Sequence, residues 1–157
     1  QALSKLGRVP FGKIVPLSSE SPTLTYNTIG RHQSQLALTK ICTNKSPWLM
    51  HCKVGEVYNI PISHGEGRFV ASDEVIAKLI ENGQIATQYV DLNGEPTMAL
   101  AYNPNSSMCA IEGIISPDGR VLGKMGHTER ISSDTCVNVD GNKEQLLFKG
   151  GVDYFRI

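Results

Sequence analysis

Two histidines in this chain are each followed, two residues later, by a glutamate. His127 and Glu129 lie in the run VLGKMGHTERI, and His64 and Glu66 lie in the run SHGEG. An imidazole with a carboxylate beside it can act as the base and the orienting acid of a nucleophilic triad, in which the base activates a thiol or a hydroxyl group. No activated nucleophile is obvious in the sequence. The pattern therefore predicts base-assisted nucleophilic catalysis in which the nucleophile is separated from its base.

The residues around each pair favour different roles. His127 is predicted to stand at the end of a hairpin strand, and open α/β sheets gather catalytic groups at strand ends. That position favours a catalytic base. His64 lies between Ser63 and Gly65, in a segment whose two glycines allow backbone amides to approach a ligand closely. That segment favours contact with a substrate, with an ordinary hydrogen-bonded histidine as the alternative at either position.

Other candidate groups give weaker signals. Cys52 follows His51, but adjacent residues on a strand point to opposite faces, so the two side chains are poorly placed to act together. Cys109 and Cys136 do not lie in the glycine-flanked turn of a hydrolase nucleophile. The run YNPNSS at residues 102–107 is ordinary turn chemistry more often than a ligand loop. Neither a GxGxxG nor a GxxxxGK[ST] run signals a nucleotide site.

The composition indicates which classes of protein and of binding partner are compatible with this chain. The 157 residues are 40% hydrophobic, enough to bury one sizeable core, and the 15 basic and 15 acidic residues leave no net charge. We expect no nucleic-acid partner without a basic stripe, and no membrane span without a long apolar run. The four cysteines form no CxxC pair, which argues against a zinc ribbon. Reduced thiols, a cytoplasmic location and no bound metal fit this composition best.

Hydrophobic periodicity and turn residues predict the elements that must position these side chains. Strands are predicted over residues 35–42, 54–62, 84–90, 97–102, 111–115 and 121–125. A helix is predicted to begin after Ser72, which can cap it, and to end before Gly83. We expect that helix to cover one face of a sheet.

Turn chemistry and glycines mark the remaining elements. In SPDGR, Pro117 presets φ and Gly119 supplies a left-handed position, which is a strong hairpin signal, and DLNGEP predicts a second hairpin-like connection. Residues 1–7 are typical of the last turns of a helix that ends at Gly7, with nothing before them to cap it. Residues 143–155 have mostly helical spacing, although adjacent glycines weaken that prediction.

Four runs together resemble a known family of enzymes. They are VYNIPISHGEGRF, NGQIATQYVD, NPNSSMCAIEGIISPDGRVLGKMGHTER and LFKGGVDYF. These runs resemble the carboxyl-terminal glutaminase domain of phosphoribosylformylglycinamidine synthases, which are glutamine-dependent ligases of purine biosynthesis. The His-x-Glu pair is shared by class I glutamine amidotransferases in general, whereas PISHGEG and the GHxER turn point to this member. The resemblance covers nearly the whole chain.

The resemblance implies a role for each matching residue. His127 matches the catalytic base and Glu129 the carboxylate that orients it, with Arg130 closing the motif. Ser63 and His64 match residues that line the pocket for the amino acid head group of the substrate. Gln1 matches the glutamine that ends the nucleophile-turn motif, so that the resemblance places the cysteine nucleophile upstream of it.

Two residues depart from the family pattern. Thr128 stands where many members have proline, between the two functional side chains, and is expected to alter the rigidity of the turn without removing either group. Ser106 stands where many members have glycine, at a loop position where glycine would allow a positive φ.

The resemblance also implies an architecture and a set of partners. Residues 1–157 would be the strand-rich C-terminal portion of one amidotransferase domain, an open α/β sheet with helices on both faces. Glutamine would be its substrate, and the remainder of the parent synthase its protein partner. This chain would need no cofactor, whereas the synthetase domain of the parent would use ATP and magnesium. The chain alone is expected to be inactive. The alternative is a non-catalytic, amidotransferase-like docking module, which would have no need of His127 and Glu129.

Overall fold

This computed structural model describes residues 1–156, which contain seven strands, four α-helices and three short 3₁₀ helices. The strands are β1 (Thr23–Thr25), β2 (Gln33–Ile41), β3 (Val57–His64), β4 (Arg68–Val70), β5 (Ile85–Tyr89), β6 (Ile111–Ile115) and β7 (Leu122–Lys124). The helices are α1 (Ala2–Lys5), α2 (Arg8–Phe11), α3 (Asp73–Glu81) and α4 (Leu147–Tyr154). No helix among these residues has the length and apolar character needed to cross a membrane.

Five of the strands form one sheet, in the order β3-β2-β5-β6-β7. Each neighbouring pair in this sheet is antiparallel, and β1 pairs with β4 in a separate two-stranded antiparallel sheet. The long pairing of β2 with β3 runs from Gln33 opposite His64 to Lys40 opposite Val57. It places His64 at the end of its strand, where the chain turns into the glycine-rich segment.

The hairpin predicted around SPDGR is confirmed. Gly119 has a φ of 71°, and the Ser116 hydroxyl donates to the Asp118 carboxylate at 2.5 Å, so that the turn is held by its own side chains. The hairpin pairs Ile114 with Gly123. Beyond β7 the chain leaves the hairpin and reaches the opposite edge strand of the sheet, where the His127 N–H donates to the Pro61 carbonyl at 2.8 Å.

The helix predicted after Ser72 is also confirmed. The Ser72 hydroxyl accepts a hydrogen bond from the Val75 N–H at 3.4 Å, which caps α3. Ile76 and Leu79 on this helix are buried in a cluster that includes Ile114 of the sheet. The apolar stripe of α3 therefore covers one face of the sheet, as the sequence predicts.

The other face of the sheet is covered by α4. Ile115 follows Ile114 along β6 and points to the opposite face, where it is buried in a second cluster with Ile60 and Leu147. Glycines inside α4 do not break it, because they pack closely: a Cβ on Gly150 would lie 2.7 Å from the Pro47 carbonyl oxygen. The predicted helix at the end of the chain is confirmed, and helices lie on both faces of the sheet.

The strand predicted over residues 97–102 is wrong. In its place the Ala99 carbonyl accepts hydrogen bonds from the Tyr102 and Asn103 N–H groups, which is a turn. Only an isolated bridge between Val90 and Pro96 remains of the predicted pairing. The alternation of TMALAY is typical of a strand. In the structure the apolar side chains of this segment are exposed, whereas the asparagines that follow it are buried, and the chain forms turns.

Candidate active site

His127 and Glu129 form a hydrogen-bonded pair at the start of a short turn. The His127 Nδ1 atom lies 2.6 Å from Glu129 Oε1. The turn Thr128–Arg130 closes on itself, since the Arg130 N–H donates to the His127 carbonyl at 3.1 Å. The His127 Nε2 atom is buried and has no hydrogen-bond partner among residues 1–156. The ring therefore has one nitrogen committed to a carboxylate and one nitrogen left for chemistry.

The pairing fixes the protonation pattern of both side chains. A carboxylate can only accept a hydrogen bond, so a neutral His127 carries its proton on Nδ1 and its lone pair on Nε2. Partial burial by itself would raise the pKa of the Glu129 carboxyl, but the hydrogen bond from His127 and the nearby charges of His127 and Arg130 lower that pKa overall. Glu129 is thus a carboxylate at neutral pH, as an orienting acid must be.

The second histidine lies directly on the first. The His64 and His127 rings are stacked, with centroids 4.8 Å apart and planes 13° from parallel. His64 Nε2 donates to the Met125 carbonyl oxygen at 2.5 Å, and because a carbonyl only accepts, this nitrogen carries the proton. Burial lowers the pKa of His64, and the neighbouring charge of His127 lowers it further. His64 is therefore neutral at physiological pH.

Spacing alone could not tell the two His-x-Glu pairs apart, although their contexts favoured His127 as the base, and in the structure the two pairs differ in their hydrogen bonds. Glu66 is not bonded to His64; instead its Oε2 atom accepts a hydrogen bond from the Gln1 side-chain amide at 2.7 Å. Of the two His-x-Glu pairs, only His127 and Glu129 have the geometry of a base with its orienting acid.

A cavity of about 430 Å³ adjoins this pair of stacked rings. Its polar lining includes four of the residues singled out in the sequence, namely Gln1, His64, His127 and Glu129. Its apolar walls come from helices α1, α2 and α4 and from both sheets, through Leu3, Val9, Leu24, Phe69, Ile111, Ile114, Leu122, Leu147 and Phe148. A mostly apolar pocket with a few converging polar groups is the usual form of a small-molecule site.

Ser63 is the one predicted site residue that lies outside this cavity. It precedes His64 on β3, so the two side chains point to opposite faces of the strand. The Ser63 hydroxyl is hydrogen-bonded to His32 Nε2 at 2.9 Å. The structure brings the four other predicted residues together, and a role for Ser63 in substrate binding stays a prediction.

A buried carboxylate behind the histidine turn was missed by the sequence reasoning. Glu112 lies in β6 with 2% of its surface exposed. Its Oε1 atom accepts hydrogen bonds from the Met125 N–H at 3.0 Å and from the Gly126 N–H. Lys124 Nζ lies 3.9 Å from the same oxygen. The signal was available in the sequence, because a lone acidic residue in the apolar run IEGII must be paired if that strand is buried.

Thr128 is tied down by hydrogen bonds where many family members have proline. Its hydroxyl donates to Gln145 Oε1 at 2.9 Å and accepts from Lys124 Nζ at 3.2 Å. Lys124 Nζ also donates to Gln145 Oε1 at 2.7 Å. The turn that carries the histidine is therefore restrained by a polar network rather than by a proline ring.

The NPNSS segment is a structural support rather than a ligand loop. Asn103, Asn105 and Ser107 are fully buried, and the Asn105 side-chain amide donates to Asn27 Oδ1 at 2.8 Å. Ser106 adopts a φ of 58°, the conformation that glycine would allow at less cost. The turn interpretation of this segment agrees with that network.

The cysteines and acidic residues of this chain do not complete the site. All four cysteines are free thiols, and none lines the cavity. Burial raises the pKa of Cys42 to about 11 and also raises the pKa of Cys52, which disfavours the reactive thiolate. Within residues 1–156, no cluster of three or more His, Cys, Asp or Glu side chains is arranged to hold a metal ion.

The α/β scaffold places the hydrogen-bonded pair of His127 and Glu129 beside a cavity of small-molecule size. Residues 1–155 match the family profile described as the CobB/CobQ-like glutamine amidotransferase domain. The chain belongs to this family, which confirms the resemblance found in the sequence.

Similar proteins point the same way. The chain is 36% identical over 132 residues to the phosphoribosylformylglycinamidine synthase subunit PurQ of Methanocaldococcus jannaschii, covering 84% of this chain and 55% of that protein. It is 33% identical over 141 residues to the subunit of the same name from Aquifex aeolicus, covering 90% and 56%. The chain thus spans about half the length of these curated relatives.

A solved structure confirms the fold class. The structure described as PurLQS from Thermotoga maritima superposes with a TM-score of 0.64 at 24% sequence identity, covering 87% of this chain and 54% of that one. The α/β arrangement described above is therefore one that a solved structure shares.

Proposed function

We propose that this chain forms part of the glutaminase of a phosphoribosylformylglycinamidine synthase, with His127 as its general base. The observation that carries the proposal is the state of one imidazole ring. Its Nδ1 atom is held by Glu129, and its Nε2 atom is buried without a partner among residues 1–156, beside a cavity of the size of a small-molecule site. Family membership and the names of the relatives supply the class of reaction.

The reaction proposed is nucleophilic hydrolysis of the glutamine side-chain amide. A cysteine thiol, supplied by polypeptide outside this sequence, gives its proton to His127 Nε2 and attacks the carboxamide carbon. The protonated ring then donates that proton to the departing nitrogen, so that ammonia leaves and a thioester remains. Water, activated by the same ring, releases glutamate and restores the thiol. One imidazole thus serves as base and acid in turn.

The other cavity residues have supporting roles in this proposal. Glu129 keeps the His127 proton on Nδ1 and stabilises the imidazolium that forms in each half of the reaction. Neutral His64 and the Gln1 side chain are proposed to contact the amino acid part of the substrate, since both line the cavity. Ser63 would contribute only if its hydroxyl left His32 and turned toward the cavity.

The rest of the proposal concerns partners. The ammonia would be used by the synthetase part of the enzyme, where ATP and magnesium would activate the acceptor, in the cytoplasm. The names of the relatives, which call them subunits of a synthase, and the PurLQS description of the solved neighbour support a protein partner of this kind. No residue of this chain is assigned to ATP or magnesium.

The decisive experiment replaces His127 with asparagine in the complete synthase. We expect glutamine-dependent product formation to be lost by at least about 10²-fold, the usual contribution of a positioned acid or base, while product formation from ammonium salts stays normal. Glutamate release and product formation are measured side by side. His51→Asn is a matched control, because His51 bonds to Asp153 outside the cavity and its loss should change neither rate.

Two results would contradict the proposal. Equal loss of the glutamine-fed and ammonia-fed rates would mean that His127 supports the fold or the synthetase reaction rather than a glutaminase. Unchanged glutamine use would favour the alternative of a non-catalytic docking module.

A further inference from the structure

The backbone just before the catalytic base is attached to a buried carboxylate. Glu112 is the only charged side chain in β6, a strand whose five residues are all buried. Two consecutive N–H groups, those of Met125 and Gly126, converge on one oxygen of this carboxylate. His127 is the next residue. The carboxylate therefore holds the two peptide groups that lead directly into the proposed base.

The second oxygen of the carboxylate is anchored inside the sheet. Glu112 Oε2 accepts a hydrogen bond from the Thr87 hydroxyl on β5, the strand beside β6. Both oxygens are therefore used, one for the sheet and one for the turn that carries the histidine. Hydrogen bonds to an ionised carboxylate are about twice as strong as neutral ones. The carboxylate is a rigid link between the centre of the sheet and the loop.

Gly126 shows how closely this link is built. A Cβ added at this glycine would lie 3.0 Å from Glu112 Oε1 and 2.7 Å from Ile60 Cγ2. The absence of a side chain is what allows the peptide to approach the carboxylate. Lys124, 3.9 Å from the same oxygen, supplies the opposite charge that a buried carboxylate needs.

We propose that Glu112 is a positioning residue for the base: by holding the Met125 and Gly126 N–H groups it sets the place and direction of the His127 ring. This inference rests on the function proposed above. Glu112 lines the same cavity as the two rings but takes no proton in the proposed reaction; it acts through the backbone. Lys124 restrains the other side of the turn, because its ammonium group donates hydrogen bonds to Gln145 and Thr128.

The chemistry of the contact distinguishes three substitutions. Glu112→Ala removes both carboxylate oxygens, so the Gly126 N–H loses its acceptor, whereas the Met125 N–H keeps only the main-chain carbonyl of residue 112, at 3.1 Å. Glu112→Gln keeps an oxygen for the two N–H groups and turns its NH₂ toward the Thr87 hydroxyl, which can accept in place of donating. Glu112→Asp keeps the charge but withdraws the carboxylate by one methylene, so that it cannot reach the turn and Thr87 together.

The test measures glutaminase kinetics in the complete synthase. We expect Glu112→Ala to lower kcat for glutamine by about 10²-fold, since misplacing a catalytic group by about 1 Å has an effect of that size. The KM for glutamine should stay within about threefold, because the loss falls on the transition state. Glu112→Gln should recover most of the lost kcat. Ammonia-fed activity should be unchanged in both variants.

A buried substitution elsewhere in the sheet is the control. Thr39 is fully buried on β2, and its hydroxyl has no hydrogen-bond partner among residues 1–156. Thr39→Val alters the interior of the same sheet without touching the histidine turn, and should leave kcat and KM at their original values. If Glu112→Ala does not assemble, Glu112→Asp decides, with an expected loss of at least about tenfold in kcat at constant KM.

Several outcomes would overturn the positioning role. They are an unchanged kcat in the alanine or aspartate variant, a rise in KM alone, a glutamine variant as poor as the alanine variant, or an equal loss of the ammonia-fed rate. These outcomes are separate from a failure of the proposed function, because His127→Asn tests that function independently. If His127→Asn abolishes glutamine use while Glu112→Ala does not, only the positioning inference fails.

Discussion

Replacing Glu129 with glutamine tests whether the carboxylate orients the base or merely touches it. In the structure, Glu129 Oε1 lies 2.6 Å from His127 Nδ1, and the Glu129 side chain is 54% exposed. Glutamine has the same shape and can still accept a hydrogen bond from Nδ1 through its amide oxygen. The substitution removes the negative charge that favours the imidazolium and leaves the rest of the turn in place.

The size of the effect follows from the strength of one charged hydrogen bond. Hydrogen bonds to charged groups contribute about 1.5–3 kcal/mol, and each 1.36 kcal/mol in the barrier is about tenfold in rate. Because Glu129 is half exposed, water screens its charge, and we expect the lower part of that range, about 10- to 30-fold in kcat. The KM for glutamine should stay nearly constant.

A second effect of the same substitution acts in the same direction. If the amide group turns its NH₂ toward His127, Nδ1 must accept rather than donate, and the ring proton moves to Nε2. That tautomer has no lone pair on the nitrogen proposed to act as the base. The loss should nevertheless be smaller than in His127→Asn, because the ring itself is retained.

The assay is glutamate release at saturating glutamine, with the ammonia-fed rate measured in parallel. Glu81→Gln is a matched control, since Glu81 is exposed at the end of α3 and does not line the cavity. A kcat within about twofold of the original protein would refute the orienting role, because even the weakest charged hydrogen bond in the range above predicts a larger loss.

Two further predictions concern stability. Gly150→Ala should lower the free energy of unfolding by about 1–3 kcal/mol, because the added Cβ would lie 2.7 Å from the Pro47 carbonyl oxygen and 2.9 Å from that of Trp48; a urea melt unchanged in midpoint would contradict this packing. Burial lowers the pKa of the His64 imidazole, so this ring is protonated at a higher pH in the unfolded chain than in the folded chain. The free energy of unfolding should therefore fall as the pH drops below about 6.5. His64→Gln should make that fall shallower in melts between about pH 7 and 5, and an identical slope would contradict the assignment.

Local signals predicted the elements whose structure is decided locally. The SPDGR turn holds itself through Ser116 and Asp118, and Ser72 caps α3 through its own hydroxyl, so each could be inferred from a few consecutive residues. The segment at residues 97–102 shows the limit of that approach. Its alternation predicted a strand, but whether a strand forms depends on a partner and a buried face, which lie elsewhere in the chain.

The candidate site divides in the same way. The type and spacing of His127 and Glu129 were enough to predict their pairing, because both belong to one turn. The stacking of His64 on His127 joins residues far apart in the sequence, and only the folded sheet brings them together. The sequence could have shown that Ser63 and His64 do not face the same site. The predicted strand ended at residue 62, whereas β3 runs to His64. Neighbouring side chains on a strand point to opposite faces.

His64 and Glu112 both form hydrogen bonds to the backbone of Met125, just before His127. The His64 ring donates to the Met125 carbonyl, and the Glu112 carboxylate accepts from the Met125 N–H. The peptide group that follows Met125 is therefore restrained by His64, and the one that precedes it by Glu112. With His64 contacting the substrate as proposed, kinetic constants from a variant at residue 64 would mix two effects: weaker binding of the substrate and looser positioning of the neighbouring His127 ring. A substitution at this position is therefore expected to raise KM and lower kcat together. That combination would be the expected result for a side chain that supports the histidine turn and also has the proposed contact with the substrate.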